Sequence, residues 1–436
     1  MIFCNPRRNL IIAIHFVEEP APPMSFFLEP IPPSVYREME DILRRKFHFL
    51  NGAEQGGKMR LAEYFVGCKS SLAKQLFEFG EQLFSDLAIQ PTEELPNGFT
   101  PPHENLSPLE QRGGAAFFHL DVAITEDGVK LVEFQAVPTY QVTGACLSAL
   151  LQSYKQGTLL FLGRRNYGWE DFYRIMRDVL VGDCDDGHII VDRQLTYQKT
   201  NFEFYATKQL INPRLDIVDA ADLYGDQARL VYRLKQGKTV EVRRLYNRVL
   251  ALEALNDDAY PNNPDTWRFR YDRAYSGLQY CNHPARSLTM AKQHLTTINH
   301  PFNPPCYDLA DVADKFSRNT LAAQDYVWKH KQGVAGRQLF LSPTLKILTQ
   351  LQQQNRVNEY LAQKKIHFKP FLTADGKTKI VELRLMFVQS ESELIAVPMA
   401  RIGHLHTHTS GTLEARIHFG QNNQAGYGFA PVLLYP

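Results

Sequence analysis

The alternation of hydrophobic and polar residues divides the chain into helical and extended segments. Apolar residues recur every three or four positions in residues 34–47 and 70–87, which predicts two amphipathic helices. Residues 90–111, rich in Pro, Glu and Asn, predict a long surface loop. Residues 117–134 then alternate apolar and polar positions on both sides of a Thr-Glu-Asp-Gly turn, a pattern typical of a β-hairpin.

The second half of the chain mixes strand and helix patterns. A short helix is predicted at residues 145–156, and residues 187–246 alternate strands with a helix, which indicates an α/β unit with a parallel crossover. This unit is Rossmann-like, but its first strand-to-helix junction has no G-x-G-x-x-G sequence to hold a pyrophosphate. A loop-rich segment with one helix, residues 287–295, follows. From Cys306 the pattern predicts a helix, a strand, a glycine-containing loop, a strand, a helix capped by Ser342, and three strands.

Composition places the chain among ordinary globular proteins and excludes several classes. It has 436 residues, of which 44% are hydrophobic and 22% charged. Because 48 basic residues nearly balance 47 acidic ones, no global field attracts nucleic acid or a membrane surface. The six cysteines have no C-x-x-C spacing, so we expect reduced thiols in a cytoplasmic protein, without a zinc site or disulfide framework.

The N-terminus is a weak candidate for a targeting signal. Its apolar run, residues 10–16, is short for a secretory signal and is followed by acidic residues and prolines. No stretch approaches the roughly 20 apolar residues of a membrane helix. Met24 is a second candidate start, so residues 1–23 are interpreted as an extension, and the choice between Met1 and Met24 stays open.

The predicted hairpin carries a candidate metal site. Its pattern can place Asp121 and Glu133 near each other across the ladder, with Gln135 on the same face as Glu133. Mg²⁺ prefers hard oxygen ligands, a few of them from carboxylates and the rest from phosphate and water. The hairpin therefore predicts a magnesium site beside a nucleotide. The alternative is that both acids are solvated hairpin positions.

A candidate phosphate site lies far along the chain. Lys329 ends a predicted strand and precedes a glycine-containing loop, residues 333–337. An ammonium group and small residues with accessible N–H groups are suited to binding phosphates. Arg248 follows another strand and is suited to bidentate contact with an anion.

The order of these motifs resembles that of the circularly permuted ATP-grasp enzymes, specifically the eukaryotic-type glutathione synthetases. The hairpin's E-F-Q-A resembles the family's E-x-N-T, the sequence LYNR resembles its Y-x-R, and YVWKHKQGVAG resembles its second ATP lysine and glycine loop. The resemblance covers most of the chain from about His119 onward. It implies a carboxylate–amine ligase that uses ATP and magnesium, with small-molecule carboxylate and amine substrates and a homodimeric assembly.

The resemblance assigns roles to individual residues. The metal ligands would be Asp121, Glu133 and Gln135. Catalytic contacts would come from Arg248 and Lys329. The nucleotide would be bound by Lys315, Lys329, Gly333, Gly336, Gln363, Lys364, Lys365, Ile366 and Glu382. The implied division is an N-terminal part of the ATP-grasp unit with the hairpin (24–156), an inserted Rossmann-like substrate domain with connecting loops (157–300), and the ATP-binding part with the C-terminal substrate loop (301–436).

Two departures from the family limit what can be carried over. The glycine loop follows Lys331 and Gln332, where the family has a metal-binding glutamate. After the G-H-L sequence the family has an arginine and a lysine for its small substrate, whereas this chain has His406, Thr407 and His408. The substrates therefore stay open. A catalytically degenerate nucleotide-binding protein, acting as a sensor or scaffold, is the alternative function.

Three alternating histidines, at positions 404, 406 and 408, can share one strand face. Three imidazoles could hold zinc, although the sequence shows no fourth ligand. The interpretation we favour is a substrate loop or exposed strand positions.

Overall fold

The computed structural model describes residues 25–47, 60–89, 95, 98–155, 159–198, 200–234, 236–251, 268–333, 338–374, 376–407, 413–416 and 428–436. The predicted N-terminal extension, Gly336 and His408 lie outside the described residues, as does the side chain of His406.

Helices and strands follow one another along the described chain. The α-helices are α1 (Pro33–Phe47), α2 (Ser70–Ala88), α3 (Pro108–Gln111), α4 (Gln141–Gln152), α5 (Trp169–Leu180), α6 (Asn201–Leu210), α7 (Ala285–Thr289), α8 (Leu309–Ser317) and α9 (Leu345–Gln353). The strands are β1 (Phe26–Pro30), β2 (Tyr64–Lys69), β3 (Phe117–Thr125), β4 (Gly128–Gln135), β5 (Leu162–Gly163), β6 (His188–Asp192), β7 (Asp216–Asp219), β8 (Tyr224–Asp226), β9 (Arg229–Arg233), β10 (Thr239–Glu241), β11 (Arg244–Asn247), β12 (Gln279–Cys281), β13 (Cys306–Asp308), β14 (Tyr326–His330), β15 (Leu339–Phe340), β16 (Tyr360–Lys364), β17 (Phe371–Leu372), β18 (Thr378–Gln389), β19 (Leu394–Thr407), β20 (Leu413–Arg416), β21 (Gly428–Ala430) and β22 (Val432–Tyr435).

The fold is mixed α/β and contains several sheets. The largest has eight strands in the order β20-β19-β18-β3-β4, with β17, β21 and β5 attached. Apolar side chains alternate between its two faces, so that one face packs against α2 and the other against α4 and α5. Helix α4 comes close to β18 at Gly144, where an added Cβ would lie 2.5 Å from Met386 Cε. A larger residue at position 144 would therefore require the side chains of Met386 and Val397 to shift.

The α/β unit predicted for residues 187–246 is confirmed. Strands β12, β11, β6 and β7 form a four-stranded parallel sheet, and α6 makes the crossover from β6 to β7. The carboxyl ends of these strands meet at one edge, where Asp192 and Asn247 are buried. Arg248 follows Asn247 directly and so lies at the edge where ligands of parallel sheets bind.

A smaller antiparallel sheet carries Lys329. Its order is β13-β16-β14-β15, and helices α8 and α9 cover one face around the buried Trp328. The two strands predicted on either side of the glycine loop are present as β14 and β15. The predicted cap of α9 was wrong: Thr344, not Ser342, accepts the N–H of Ile347, at 3.4 Å.

Strands from the beginning and the end of the chain pair with each other. Strand β3 lies between β4 and β18, and β22 runs parallel to β2. The main sheet therefore combines strands from the 24–156 and 301–436 segments.

Two other predictions need correction. Residues 90–111 are not simply a surface loop, because Asn105 and Glu110 are buried. Asn105 Nδ2 donates to Tyr275 O at 2.7 Å, and Glu110 Oε1 accepts from His283 N at 2.7 Å. These contacts attach the segment to the chain around β12. The predicted helix at residues 287–295 is split into α7 and a 3-10 turn, Lys292–Thr296.

Among the described residues, no helix combines the length and the apolar composition required to cross a membrane.

Candidate functional site

The predicted hairpin forms as the antiparallel pair β3 and β4. Asp121 lies opposite Glu133, and His119 lies opposite Gln135, so the four side chains share one face of the main sheet. A β-bulge next to Asp121 makes Val132 the extra residue of the ladder. The prediction that the two acids face each other across the hairpin is confirmed.

The Asp121 carboxylate is fully buried and bound by two arginines. Arg384 Nε donates to Oδ1 at 2.6 Å and its Nη2 to Oδ2 at 2.5 Å, while Arg401 Nη2 donates to Oδ2 at 2.7 Å. Burial raises the pKa of Asp121, but the two arginines outweigh it and hold the pKa well below its usual range. Both carboxylate oxygens are thus engaged, which is not the open carboxylate that a metal ligand requires.

Glu382 belongs to the same buried network. It lies opposite Arg401 on the neighbouring strand, accepts a hydrogen bond from that arginine, and is 1% exposed. Burial raises the pKa of Glu382 to about 7, although Arg401 opposes the shift. A carboxylate enclosed in this way is not accessible to the nucleotide to which the resemblance assigned Glu382.

His119 lies on the same buried face of the sheet as Asp121, and its imidazole is neutral. Burial lowers its pKa to about 4, and the nearby Arg384 acts in the same direction. Since an unfolded His119 takes up a proton near pH 6.5, its contribution to stability is present above about pH 6.5 and lost as the pH falls to about 4. As the pH falls over this range, the free energy of unfolding of the original chain should drop by roughly 3 kcal/mol more than that of His119→Gln, which has no imidazole to protonate. Urea unfolding of both proteins across the range tests this, and parallel pH profiles would contradict it.

Glu133 and Gln135 line a cleft of about 260 Å³. Three segments of the chain contribute to the cleft: the hairpin strand β4, the segment from α7 through the 3-10 turn, and the start of the glycine loop. The residues that line it are Glu133, Phe134, Gln135, Ser287, Ala291, Lys292, Gln293, Lys331, Gln332 and Gly333. Most of this space is open to solvent, and its enclosed part has room for about one water molecule. The cleft thus joins the early hairpin to the late glycine loop.

Lys329 contacts the hairpin directly. Its ammonium donates to Val132 O at 2.8 Å, the carbonyl of the bulged residue next to Glu133. Burial lowers the pKa of Lys329, and the Glu133 carboxylate opposes that shift. Gln363, from the neighbouring strand β16, donates to Leu131 O at 3.1 Å. Two residues that the resemblance assigned to the nucleotide therefore contact the strand that carries Glu133.

Gln363 also presents a buried acceptor. Its Oε1 atom accepts no hydrogen bond from the described residues, although the side chain is 1% exposed. Buried amide oxygens are usually satisfied, so this atom is an exception, although Gln363 is not among the described residues that line the cleft.

Lys292 is the residue of the cleft that sequence reasoning missed. Its Nζ lies 3.9 Å from Glu133 Oε2 and donates to the carbonyl oxygen of Gly333. The flanking sequence, Thr-Met-Ala-Lys-Gln, shows no pattern that distinguishes this lysine from a surface one. A signal emerges only in the structure, where the segment after α7 hydrogen-bonds to β4 through Ala136 N and Met290 O at 2.9 Å.

The other predicted nucleotide residues occupy different positions. Lys315 is exposed in the last turn of α8, whose buried side holds Val312 and Phe316. Lys364 ends β16 and its Nζ donates to Asp325 Oδ2 at 2.9 Å. Lys365 and Ile366 follow in the irregular segment after β16, where both are partly exposed.

Arg248 links the parallel sheet to the segment that follows β4. Its Nη1 donates to Thr139 O at 2.6 Å, and its guanidinium lies 5.2 Å from the ring centre of Phe204. The neighbouring Glu203 carboxylate accepts the N–H groups of Val142 and Thr143 at the start of α4, both at 2.9 Å. The Arg248 guanidinium is thus tied to the loop between the hairpin and α4.

The predicted histidine cluster can be placed in part. His404 lies opposite Lys379, with 3.4 Å between Nδ1 and the lysine Nζ. A lysine at this distance disfavours a zinc site, and because His404 is half-buried and Lys379 is buried, His404 is not an exposed strand position.

The oxygen donors of the cleft fit a metal ion that takes most of its ligands from phosphate and water. Among the described residues, no three His, Cys, Asp or Glu side chains form a group suited to a metal ion. Glu133 and Gln135 nevertheless present one carboxylate and one amide on the same strand face. Mg²⁺ commonly uses one or two carboxylates and completes its octahedron with phosphate and water.

Comparisons with known proteins add little at the level of function. No protein-family model matches the chain, and no curated protein matches it. Among solved structures, the chain is similar to one described as a "Putative gamma-glutamylcysteine synthetase" from Methylobacillus flagellatus KT. The two are 10% identical, the match covers 70% of this chain and 80% of that chain, and the TM-score is 0.37. The functional argument therefore depends on the residues of the cleft.

Proposed function

We propose that the protein is an ATP-dependent carboxylate–amine ligase that forms an amide bond through an acyl phosphate, on a circularly permuted ATP-grasp fold. The observation that carries the proposal is the contact of Lys329 Nζ with Val132 O, between residues 197 positions apart in the chain. It brings the lysine and the glycine loop of the C-terminal segment to the acidic hairpin of the N-terminal segment. A polyphosphate requires this combination of cations, N–H groups and a metal-binding carboxylate.

The electrostatics of the cleft support a polyphosphate ligand. Lys292 and Lys329 lie near the Glu133 carboxylate, and the Lys329 ammonium is partly desolvated, whereas the Lys331 ammonium pairs with Asp308. Charged groups in such a site interact more strongly than they do in water.

The structure changes the proposed ligand set. Asp121 and Glu382 are left out because arginines engage their carboxylates. Lys315 is left out because it faces solvent on α8, and Lys292 takes its place.

The proposed chemistry has two steps. A carboxylate oxygen of the first substrate attacks the γ-phosphorus of ATP, which forms the acyl phosphate and releases ADP. An amine nitrogen of the second substrate then attacks the acyl carbon, loses its proton, and displaces inorganic phosphate. Mg²⁺ at Glu133 and Gln135 would supply charge neutralisation of the phosphates.

The residues of the chain would act by positioning and charge. Lys292 and Lys329 neutralise the phosphates as the carboxylate approaches, so that the barrier falls through preorganised electrostatics. Arg248 binds the carboxylate substrate, since its guanidinium lies at the ligand-binding edge of the parallel sheet.

A screen for ATP turnover tests the proposal. The full chain is incubated with ATP, Mg²⁺ and pools of amino acids and small peptides, and ADP release is measured for each pool. We expect one pool to stimulate ADP release and to yield a new amide product by mass spectrometry. ATP binding without stimulated turnover would favour the nucleotide-binding sensor or scaffold instead.

Glu133→Gln is expected to lower the stimulated turnover at least 10- to 100-fold, because it removes the carboxylate proposed to contact the metal. The fold should persist, since the Glu133 side chain is 31% exposed at the cleft. Glu126→Gln, in the exposed hairpin turn, provides a matched control. Equal turnover of the two variants would contradict the metal assignment.

A further inference from the structure

Two glutamines of the cleft are held in the same way. Gln135 Nε2 donates to Ser287 O at 3.4 Å, and Gln293 Nε2 donates to Leu288 O. An amide NH₂ group that contacts a carbonyl oxygen identifies the two ends of the amide, so the Oε1 atom of each glutamine is the one that remains for other contacts. Both residues line the cleft. The end of α7 therefore directs two amide oxygens to the cleft.

The backbone brings Gln293 to the strand that carries Glu133. Gln135 pairs with Ala291 in an antiparallel bridge, and the 3-10 turn that contains Gln293 contacts β4. In an antiparallel pair, the chain that leaves Ala291 runs in the direction of Glu133. Gln293, two residues further along, therefore joins the proposed metal ligands of β4.

The Gln293 amide oxygen has no partner in the described part of the chain. Its Oε1 atom is buried and accepts no hydrogen bond from the described residues. The neighbouring Lys292 ammonium is bound elsewhere, because it donates to Gly333 O and lies 3.9 Å from Glu133 Oε2. Buried amide oxygens are usually satisfied, so this atom suits a cation that enters the cleft. The enclosed part of the cleft, with room for about one water molecule, is on the scale of a single small ion.

We infer that Gln293 is a third oxygen ligand of the metal ion, which would be bound by Glu133, Gln135 and Gln293. Gln293 thereby takes the place in the ligand set that the sequence assigned to Asp121. The inference rests on the proposed function and concerns which residues hold its metal. A set of one carboxylate and two amides has too little charge to hold Mg²⁺ firmly by itself, so the phosphates of ATP supply further ligands. Metal and nucleotide therefore bind together.

Calorimetric titration of the full chain with ATP tests the inference, once in EDTA and once with excess Mg²⁺. The quantity compared between variants is the ratio of the two affinities, because general damage to the cleft weakens both. For the unmodified chain, we expect tighter ATP binding with Mg²⁺ than in EDTA. Gln293→Met keeps the length of the side chain and removes the amide oxygen. It should lower the ratio by roughly 10- to 100-fold and leave the affinity in EDTA unchanged.

Two further variants separate the metal ligand from the packing of the side chain. Gln293→Glu keeps an oxygen at the same position, so its ratio should equal or exceed that of the unmodified chain. Gln350→Met removes an exposed glutamine on α9 and should change neither affinity. If Gln293→Met does not fold, Gln293→Glu still decides, since a ratio below that of the unmodified chain would contradict a ligand role.

Each result has a defined meaning. A ratio that falls in Gln293→Met and is kept in Gln293→Glu supports the inference. An unchanged ratio in Gln293→Met, an equal fall in both variants, or equal affinities of the unmodified chain with and without Mg²⁺ overturns it and leaves the proposed ATP site standing. An absence of ATP binding under either condition overturns the proposed function and the inference together.

Discussion

Lys329→Met is expected to weaken ATP binding by roughly a hundredfold or more, because a phosphate would lose its counter-charge in a desolvated site. Methionine has nearly the length of lysine and fills the same space. Burial already lowers the pKa of Lys329, so the folded protein tolerates the loss of the charge. Calorimetric titration with ATP in the presence of Mg²⁺ measures the effect, and thermal unfolding checks that the fold persists.

The matched control is Lys74→Met on the exposed side of α2, where the ion pair with Glu78 spans 3.8 Å. Exposed pairs of this kind contribute about 0–1 kcal/mol to stability, so this variant should unfold and bind like the original chain. A folded Lys329→Met protein with undiminished ATP affinity would remove Lys329 from the phosphate site. The proposed function would then lose the contact on which it chiefly depends.

The sequence alone predicted the local parts of the site. The period-two pattern and the Thr-Glu-Asp-Gly turn predict the hairpin of β3 and β4, but the register set by the turn would put Val132 opposite Asp121. The β-bulge at Val132, which the pattern does not show, brings Glu133 opposite Asp121 instead. The strand that ends near Lys329 and the parallel α/β unit were also predicted from local pattern. Such predictions succeed because the signal lies within a few residues of the element itself.

The partners of Asp121 could not be predicted in the same way. Arg384 and Arg401 lie 263 and 280 positions away in sequence, and they reach Asp121 only because β18 pairs with β3 and β19 pairs with β18. A single sequence contains no information that aligns these strands residue by residue. The pattern therefore predicted an open metal ligand where the structure has a neutralised carboxylate.

The replacement of Lys315 by Lys292 in the proposed site has a related reason. Lys315 was selected because its segment matched the family in linear order, but α8 turns it toward solvent. Lys292 lies in a segment rich in Pro and Asn, whose course along β4 depends on backbone hydrogen bonds such as Leu131 N to Phe302 O at 2.7 Å. Long-range backbone pairing, rather than local propensity, places this lysine in the cleft.

Asp121→Asn is expected to lower the free energy of unfolding by roughly 3–5 kcal/mol, because it leaves two buried arginines with too little negative charge. The loss should be larger near pH 6 than near pH 8. In the original chain, burial and the Asp121 charge raise the pKa of Glu382 to about 7, so ionising this carboxyl group between pH 6 and pH 8 costs stability. Without the Asp121 charge the arginines lower the pKa of Glu382, and the variant does not bear this cost. Denaturant unfolding at the two pH values measures both effects.

A double variant, Asp121→Leu with Arg384→Met, provides the decisive comparison. It removes one charge of each sign and leaves Arg401 paired with Glu382. Apolar side chains of similar size often replace a buried ion pair at little cost, so the double variant should recover most of the stability lost in Asp121→Asn. If the double variant is as unstable as the single one, packing rather than charge accounts for the loss. If recovery is complete, Asp121 stabilises the sheet by neutralising charge, and Glu133 remains the acid of the hairpin that is available to the cleft.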